Sequence, residues 1–464
     1  MENCISKFRK MMKDKKVAVL GIGISNTPLI KYLYSMGADI TAFDKSDKEK
    51  LEQVLSSFKG LDIKYSLGED YLKNLKGFDV VFRTPGMRYD LPELVEARKN
   101  GAQITSEMEV FFDLCPAEIF AVTGSDGKTT TTTLIYNMLK EQGYVCWLGG
   151  NIGMPLLSRV EEIKETDKVV LELSSFQLHT MRKSPHVAVI TNISPNHLDV
   201  HKSMEEYTDA KKNIFRFQSE NDKLVLNFDN EITKQFGIEA KGKAVFFSRT
   251  NSIEEGAGLE NGMLVFSNPG KKLELVKAED ISIPGVHNIE NYLAASAAVI
   301  DYVEPSTIRK VAKAFKGVEH RIELVRELNG VKFYNSSIDS SPSRTIAALN
   351  TFKQKVILIA GGKDKGIPYD DIGEPIIKRV KHLVLIGATA SKIEAAVKEA
   401  MSRMGTGEEL TVTKCNTYEE VVKTAYSFAK EGDIVILSPA STSFDMFRNF
   451  EERGNIFKRI VNSL

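Results

Sequence analysis

The stretch 121–133, AVTGSDGKTTTTT, constrains this chain more than any other. The run Glu118-Ile119-Phe120-Ala121-Val122 before it reads as a buried strand that ends at Gly124. Gly124-Ser125-Asp126-Gly127-Lys128-Thr129 follows, and a helix is expected from near Thr129. Two glycines let the backbone turn its N–H groups inward around an anion. The positive end of the helix faces the same point. Lys128 adds a full charge, and the Thr129 hydroxyl suits Mg²⁺. The common form G-x-x-x-x-G-K-[ST] wants glycine where this chain has Val122. Threonines are poor helix formers, so phosphate chemistry rather than propensity is read as choosing this helix start.

The rest of the chain frames that loop in an α/β pattern. KVAVLGIGISNTPLIKYLYSMGADITAFDKS reads as strand, glycine turn, helix and a second strand ending at Asp44. Gly21 and Gly23 resemble a dinucleotide fingerprint, but Asn26 takes the third glycine position, which argues against NAD. A further strand, Asp79-Val80-Val81-Phe82, runs into Thr84-Pro85-Gly86, and residues 105–110 read as a connector. In the middle third, KVVLELSSFQL and VAVITNISPNHLDVH deliver Glu172, Ser174, Ser175 and Gln177, then Asn192, Asn196, His197 and Asp199, to strand ends. Ligands of open α/β sheets sit at such carboxyl ends. Residues 220–285 read as β-rich. From about 356 onward, strands and helices alternate again into a second doubly wound sheet. The expected architecture is three α/β domains: an N-terminal Rossmann-like domain (1–107), a central P-loop ATPase-like parallel sheet with an added β-region (108–317), and a C-terminal Rossmann-like sheet (318–464).

Composition narrows the function classes. Lys+Arg and Asp+Glu balance at 62 each, so no bulk charge calls for nucleic acid or an anionic membrane surface. No apolar run reaches the ~18 residues of a membrane span. The four cysteines lack metal-ligand spacing and suit a reducing compartment. With no secretory signal pattern, a cytoplasmic enzyme is expected, and a monomer is taken as the default.

Phosphoryl transfer needs a cradle, a charge-neutralising metal and an aligned acceptor. Glu172 is the best strand-end candidate for hard-cation ligation, with His197 for a second ion. Lys211 lies on an expected helix. A lysine that loses its proton can react with CO₂ to form an anionic carbamate, which binds Mg²⁺ rather than repelling it.

These residues resemble the Mur ligases of peptidoglycan synthesis along essentially the whole chain. TGSDGKTT resembles the family loop T-G-T-N-G-K-[ST]-T, and Gly150-Asn151-Ile152-Gly153 its G-N-I-G. Glu172-Leu173-Ser174-Ser175-Phe176-Gln177-Leu178 is similar to the E-L-S-S-F-Q-L of the D-glutamate-adding member. Asn288 and Asn291 fall in an H-N-x-x-N, and His320-Arg321 resembles the family's H-R. Ser438-Pro439-Ala440 with Ser443, Asp445, Phe447 and Phe450 resembles its closing motif.

The resemblance implies an ATP-dependent ligase that joins D-glutamate to UDP-N-acetylmuramoyl-L-alanine through an acyl phosphate. Gly124, Ser125, Asp126, Gly127, Lys128, Thr129, Thr130, Asn288, Asn291 and Arg321 would hold ATP, and Ser25, Asn26, Asp44, Lys45, Asn151, Ser174 and Gln177 the UDP substrate. Two Mg²⁺ ions would sit on Thr129 and Glu172, and on His197 with a carbamylated Lys211. Lys128, His197 and Lys211 would be catalytic, and Lys365, Ser443 and Phe450 would surround D-glutamate. Where the family often has N-D-S-K-A-T, this chain has Asn335-Ser336-Ser337-Ile338-Asp339-Ser340. Ser336 thus replaces an acid and Ile338 a lysine. Arg344 is expected to supply the missing positive charge. The alternatives are a sibling ligase with another amino acid, folylpolyglutamate synthase, and a non-catalytic nucleotide-binding regulator. The nucleotide-style segment before the phosphate loop disfavours the synthase.

Overall fold

The computed structural model describes residues 4–23, 25–195, 201–405 and 410–464. It contains three sheets, and the chain divides into two compact units. The first unit comprises Met1–Ala278 with Glu290–Val311, and the second Glu279–Ile289 with Ala312–Leu464.

The first unit holds two sheets. The smaller contains β1 (Lys16–Leu20), β2 (Asp39–Asp44), β3 (Lys64–Leu67), β4 (Val80–Phe82) and β5 (Gln103–Thr105) in the order β3-β2-β1-β4-β5, all parallel. Val17, Ala18, Val19 and Leu20 are wholly buried, as expected of a central parallel strand covered on both faces. The chain reverses direction across the sheet between β1 and β4, and that switch point is where a ligand crevice opens.

The larger sheet contains β6 (Glu118–Thr123), β7 (Cys146–Gly150), β8 (Lys168–Glu172), β9 (Val187–Ile190), β10 (Lys223–Asn227), β11 (Lys243–Ser248), β12 (Gly256–Glu260), β13 (Met263–Asn268) and β14 (Lys271–Lys277). Its order is β14-β13-β12-β11-β10-β9-β6-β8-β7. The part from β11 to β7 is parallel, and β12 to β14 add an antiparallel meander. Here the switch point lies between β6 and β9. The two sheets share one apolar core, which includes Phe8, Leu29 and Phe111 as well as Ala121, Leu171 and Tyr207.

The expected connector at 105–110 is instead the start of a helix, Glu107–Leu114. Ser106 caps it by accepting from Glu109 N, and its hydroxyl donates to Glu109 Oε2 at 2.7 Å. Phe111 and Phe112 then bury the helix in the shared core. The S-x-x-E signature of such a start is present in the sequence as Ser106-Glu107-Met108-Glu109.

The second unit is built on β15 (Glu323–Leu328), β16 (Val331–Asn335), β17 (Val356–Ala360), β18 (Val380–Leu385), β19 (Thr411–Lys414) and β20 (Ile434–Leu437), in the order β15-β16-β20-β17-β18-β19. β17 and β20 are parallel neighbours, and their following loops are tied together by Lys363 N donating to Thr442 O at 2.8 Å. Among the described residues, no helix is long and apolar enough to cross a membrane.

Candidate active site

The phosphate loop leaves β6 through Gly124, at φ 148°, and enters the Lys128–Gln142 helix through Gly127, at φ 76°. Both φ values favour glycine. A Cβ on Gly124 would stand 1.9 Å from Thr191 Oγ1, and one on Gly127 2.4 Å from Asn291 Oδ1. The loop is held from the β9 side. Asn192 O accepts from Ser125 N at 2.9 Å, Asn192 Oδ1 from Asp126 N at 3.0 Å, and Thr191 Oγ1 donates to Asp126 O at 2.5 Å.

Ser125 points inward, donating to Ser194 O at 2.9 Å and lying 3.0 Å from Tyr207 Oη. The Asp126 side chain is exposed. The Lys128 ammonium spans Gly124 O (3.0 Å) and Ser125 O (2.8 Å). Thr132 and Thr133 donate to the carbonyls of Lys128 and Thr129, at 2.8 and 2.7 Å. Hydroxyls bonded one turn back reconcile this threonine run with a buried helix. Thr130 is buried, and Thr131 Oγ1 lies 3.3 Å from Asn291 Oδ1.

Glu172 ends β8 beside this loop, its Cα in register with Val122. It is 2 % exposed; Oε1 accepts from Asn151 Nδ2 at 2.8 Å, while Oε2 is buried with no hydrogen-bond partner. Such an orphaned carboxylate oxygen is costly unless something positive meets it. Asn151, expected at the UDP substrate, is thus engaged with a metal candidate.

Lys211 is 1 % exposed and far from the bland surface lysine its charge suggests. Its ammonium donates to Gly124 O at 2.8 Å and Thr123 Oγ1 at 3.2 Å, and lies 4.8 Å from the Tyr207 ring centroid. Burial, then the Lys128 charge, push its pKa well below the usual lysine range; Glu172 and Asp126 pull the other way. His197, with the rest of 196–200, lies outside the described residues.

Ser174 and Gln177 form a capping box on the Ser175–Leu178 helix. Ser174 N donates to Gln177 Oε1 at 2.9 Å, and Gln177 N to Ser174 Oγ at 3.3 Å. The motif that looked most specific therefore has a local structural use. At the first switch point, Asp44 accepts from Ile22 N (2.7 Å) and Ser46 N (2.8 Å), and the Asn26 amide donates back to Leu20 O and Gly21 O at 3.0 and 2.9 Å. Ser25 is half-buried and Lys45 exposed.

The ligand atoms of His179, His201 and Glu206 lie within 4.8 Å of one another. The Arg88 guanidinium donates to Glu206 at 3.1 Å and the Lys202 backbone N–H also donates to it, so the one anionic member is already held by a cation and an amide. Sequence reasoning passed over Tyr207, His201, Thr191 and Ser194. The i, i+4 spacing of Tyr207 and Lys211 on the Met204–Lys212 helix was the available signal.

In the second unit, Asn288 Nδ2 donates to Pro284 O at 2.5 Å. Exposed Lys365 and buried Ser443 lie on the loops after β17 and β20, whereas the Phe450 ring faces His320 with centroids 6.0 Å apart. The guanidinium of Arg344, on the Pro342–Asn350 helix, lies 3.3 Å from Ile338 O. Asp339 accepts from Ser438 Oγ at 2.9 Å, and burial raises its pKa to about 6 against the opposing pull of Ser336, Ser438, Arg321 and Arg344. Ser336 is fully buried, its Oγ accepting from Ile322 N at 3.2 Å.

A phosphate cradle with a buried carboxylate and a buried lysine, on the middle of three α/β sheets, defines a P-loop-type nucleotide-phosphate site. Residues 15–106 match the family described as Mur ligase MurD-like, N-terminal domain, 122–299 the Mur ligase middle domain, and 320–441 the Mur ligase, glutamate ligase domain. The chain belongs to the Mur ligase family, whose members use ATP. It is 70% identical over 464 residues, all of both chains, to the UDP-N-acetylmuramoylalanine--D-glutamate ligase of Acetivibrio thermocellus. It is 66% identical, again over all of both chains, to the enzyme of that name from Ruminiclostridium cellulolyticum. The solved UDP-N-acetylmuramate-alanine ligase of Thermotoga maritima shares the fold, with a TM-score of 0.59 at 21% identity over 97% of this chain and 99% of that one.

Proposed function

We propose that this chain joins D-glutamate to UDP-N-acetylmuramoyl-L-alanine in peptidoglycan precursor synthesis, with ATP converted to ADP and phosphate. The observation that carries this is 70% identity, without a gap in coverage at either end, to a ligase of that name. A free carboxylate is inert to amines until its oxygen becomes a leaving group. The alanyl carboxylate oxygen therefore attacks the γ-phosphorus, the bond to ADP breaks, and an acyl phosphate results. The neutral D-glutamate amine then attacks the acyl carbon, and the C–O bond to phosphate breaks as the amide forms and the nitrogen gives up a proton to solvent.

On this reading the 124–129 amides cradle the phosphates, and Lys128 exchanges its two loop carbonyls for phosphate oxygens. The orphaned Glu172 oxygen fits a hard cation; with Thr129 it would hold one Mg²⁺, and His197 with Lys211 a second. When bound, these ions neutralise the crowded phosphate and carboxylate oxygens. The buried, readily neutral Lys211 amine suits carbamylation: nitrogen adds to the carbon of CO₂, a proton leaves to solvent, and a carboxylate stands where an ammonium stood. Asn291, Asn288 and Arg321 are assigned to the nucleotide. Ser25, Asn26, Asp44, Lys45, Asn151, Ser174 and Gln177 are assigned to the sugar nucleotide, and Lys365, Ser443 and Phe450, with Arg344, to D-glutamate. Domains at 1–107, 108–317 and 318–464, a cytoplasmic location and a monomeric state complete the proposal.

The test is phosphate release from ATP with UDP-N-acetylmuramoyl-L-alanine and, in parallel, D-glutamate, L-glutamate or L-lysine. Release and ligated product with D-glutamate alone is the expected result. Product with another amino acid reassigns the acceptor. ATP binding without turnover on any of them points to a regulator.

A further inference from the structure

Arg83 follows β4 at the switch point of the smaller sheet, where the crevice between β1 and β4 opens. The loop 84–87 forms one wall. The glycine turn after β1 faces it so closely that a Cβ on Gly21 would lie 3.4 Å from Thr84 Cβ. The Arg83 side chain is 3% exposed. Its Nη1 donates to Thr84 O (3.4 Å), Pro85 O (3.2 Å) and Met87 O (2.9 Å), and its Nη2 to Thr180 Oγ1 (2.7 Å) and Phe176 O (3.4 Å). Every one of these acceptors is neutral, so the group is a buried charge used as a fork of donors. Burial accordingly lowers its pKa. Only a guanidinium offers so many donors in one plane.

The far side of this fork leads to the phosphate loop. The Phe176 ring stacks on His201, centroids 5.2 Å apart and 3° from parallel, and His201 Nε2 lies 2.9 Å from Ser175 Oγ. His201 meets the Tyr207 ring edge-on at 5.3 Å, and Tyr207 Oη lies 3.0 Å from Ser125 Oγ. The crevice wall and the phosphate loop therefore share one packed brace.

We propose that Arg83 is a positioning residue for the reaction, fixing the crevice wall in register with the phosphate loop so that a sugar nucleotide seated in the crevice presents its carboxylate in line with the γ-phosphate. This rests on the sugar-nucleotide reading above. In-line attack needs the reacting atoms about 3–3.5 Å apart, and a 1 Å misplacement can cost on the order of a hundredfold in rate.

The experiment compares wild type, Arg83→Lys and Thr180→Val by calorimetric binding of UDP-N-acetylmuramoyl-L-alanine and by steady-state kinetics, corrected for folded fraction. Arg83→Lys keeps the charge and stem but loses the fork. Thr180→Val removes only the 2.7 Å bond and leaves the buried charge in place. Arg83→Lys is expected to weaken sugar-nucleotide binding about tenfold and kcat about ten- to a hundredfold, with KM for ATP within about twofold of wild type. Thr180→Val is expected to move the same parameters about threefold. Sugar-nucleotide affinity and kcat within twofold of wild type in both variants would overturn the proposal. So would losses that disappear once folded fraction is accounted for, since a merely structural role acts through that fraction. Failure of the wild type to turn over D-glutamate would sink the functional reading instead, while the binding comparison would still judge the brace.

Discussion

Glu172 has one carboxylate oxygen on Asn151 and the other buried beside the phosphate loop. Glu172→Gln keeps an acceptor for Asn151 and removes only the charge. Its kcat is expected to fall at least about a hundredfold, and the Mg²⁺ concentration for half-maximal rate to rise. The unfolding midpoint should hold or increase, because a buried carboxylate oxygen without a hydrogen bond is costly; a Mg²⁺ titration and a melting curve measure both. Asp339 has the opposite signature. Its folded pKa, about 6, lies above the ordinary aspartate value of 3.8. The folded state thus holds the proton more tightly, so Asp339's contribution is full below pH ~4 and is lost as pH rises through about 6. Asp339→Asn should therefore stabilise the protein by about 2–3 kcal/mol at neutral pH and by nothing near pH 4. Denaturant unfolding at the two pH values decides it. At this scale the sequence named Lys128, Glu172 and Lys211 but not their surroundings: no local pattern says that Lys211 is buried against Gly124 O, or that Ser125 faces Tyr207.

At the scale of elements, the phosphate loop depends on glycines for space as well as for backbone freedom. Gly124→Ala would force a Cβ into Thr191 Oγ1 at a φ of 148°. Roughly 1–3 kcal/mol of backbone strain is expected, with KM for ATP raised at least about tenfold. Adding Thr191→Ala relieves the overlap but not the φ, so affinity should recover only in part; an unchanged KM in the single variant would refute this account. Strand ends at Thr123, Asp44 and Glu172 were legible because apolar runs stop there and glycine or polar residues follow. The Glu107–Leu114 helix was not, because its amphipathic face is short and is decided by burial against a core formed from distant strands. At the threonine run 129–133 the helix begins where the sequence placed it, and the hydroxyls satisfy carbonyls one turn back, which propensity alone does not register.

For the whole molecule, two compact units predict more than one cooperative transition in scanning calorimetry. Ser174 caps a helix in the first unit, and Asn449 Oδ1 caps the Phe450–Ser463 helix in the second by accepting from Glu452 N at 2.8 Å. Ser174→Ala should lower only the first unit's transition and Asn449→Ala only the second's, each by about 1 kcal/mol. A single transition that shifts equally in both variants would contradict independent units. The sequence by itself determined the α/β class, the three successive sheets, the phosphate loop and the identity of the charged residues around it. Each of these is written in local periodicity, turn chemistry or a contiguous motif. Tertiary structure alone decided that two sheets share one core, that Asn151 serves Glu172, that Arg83 reaches Phe176 and Thr180, and that Lys211 is desolvated. Those facts depend on which strands become neighbours and which groups lose water, and both are set by packing between segments far apart in the chain.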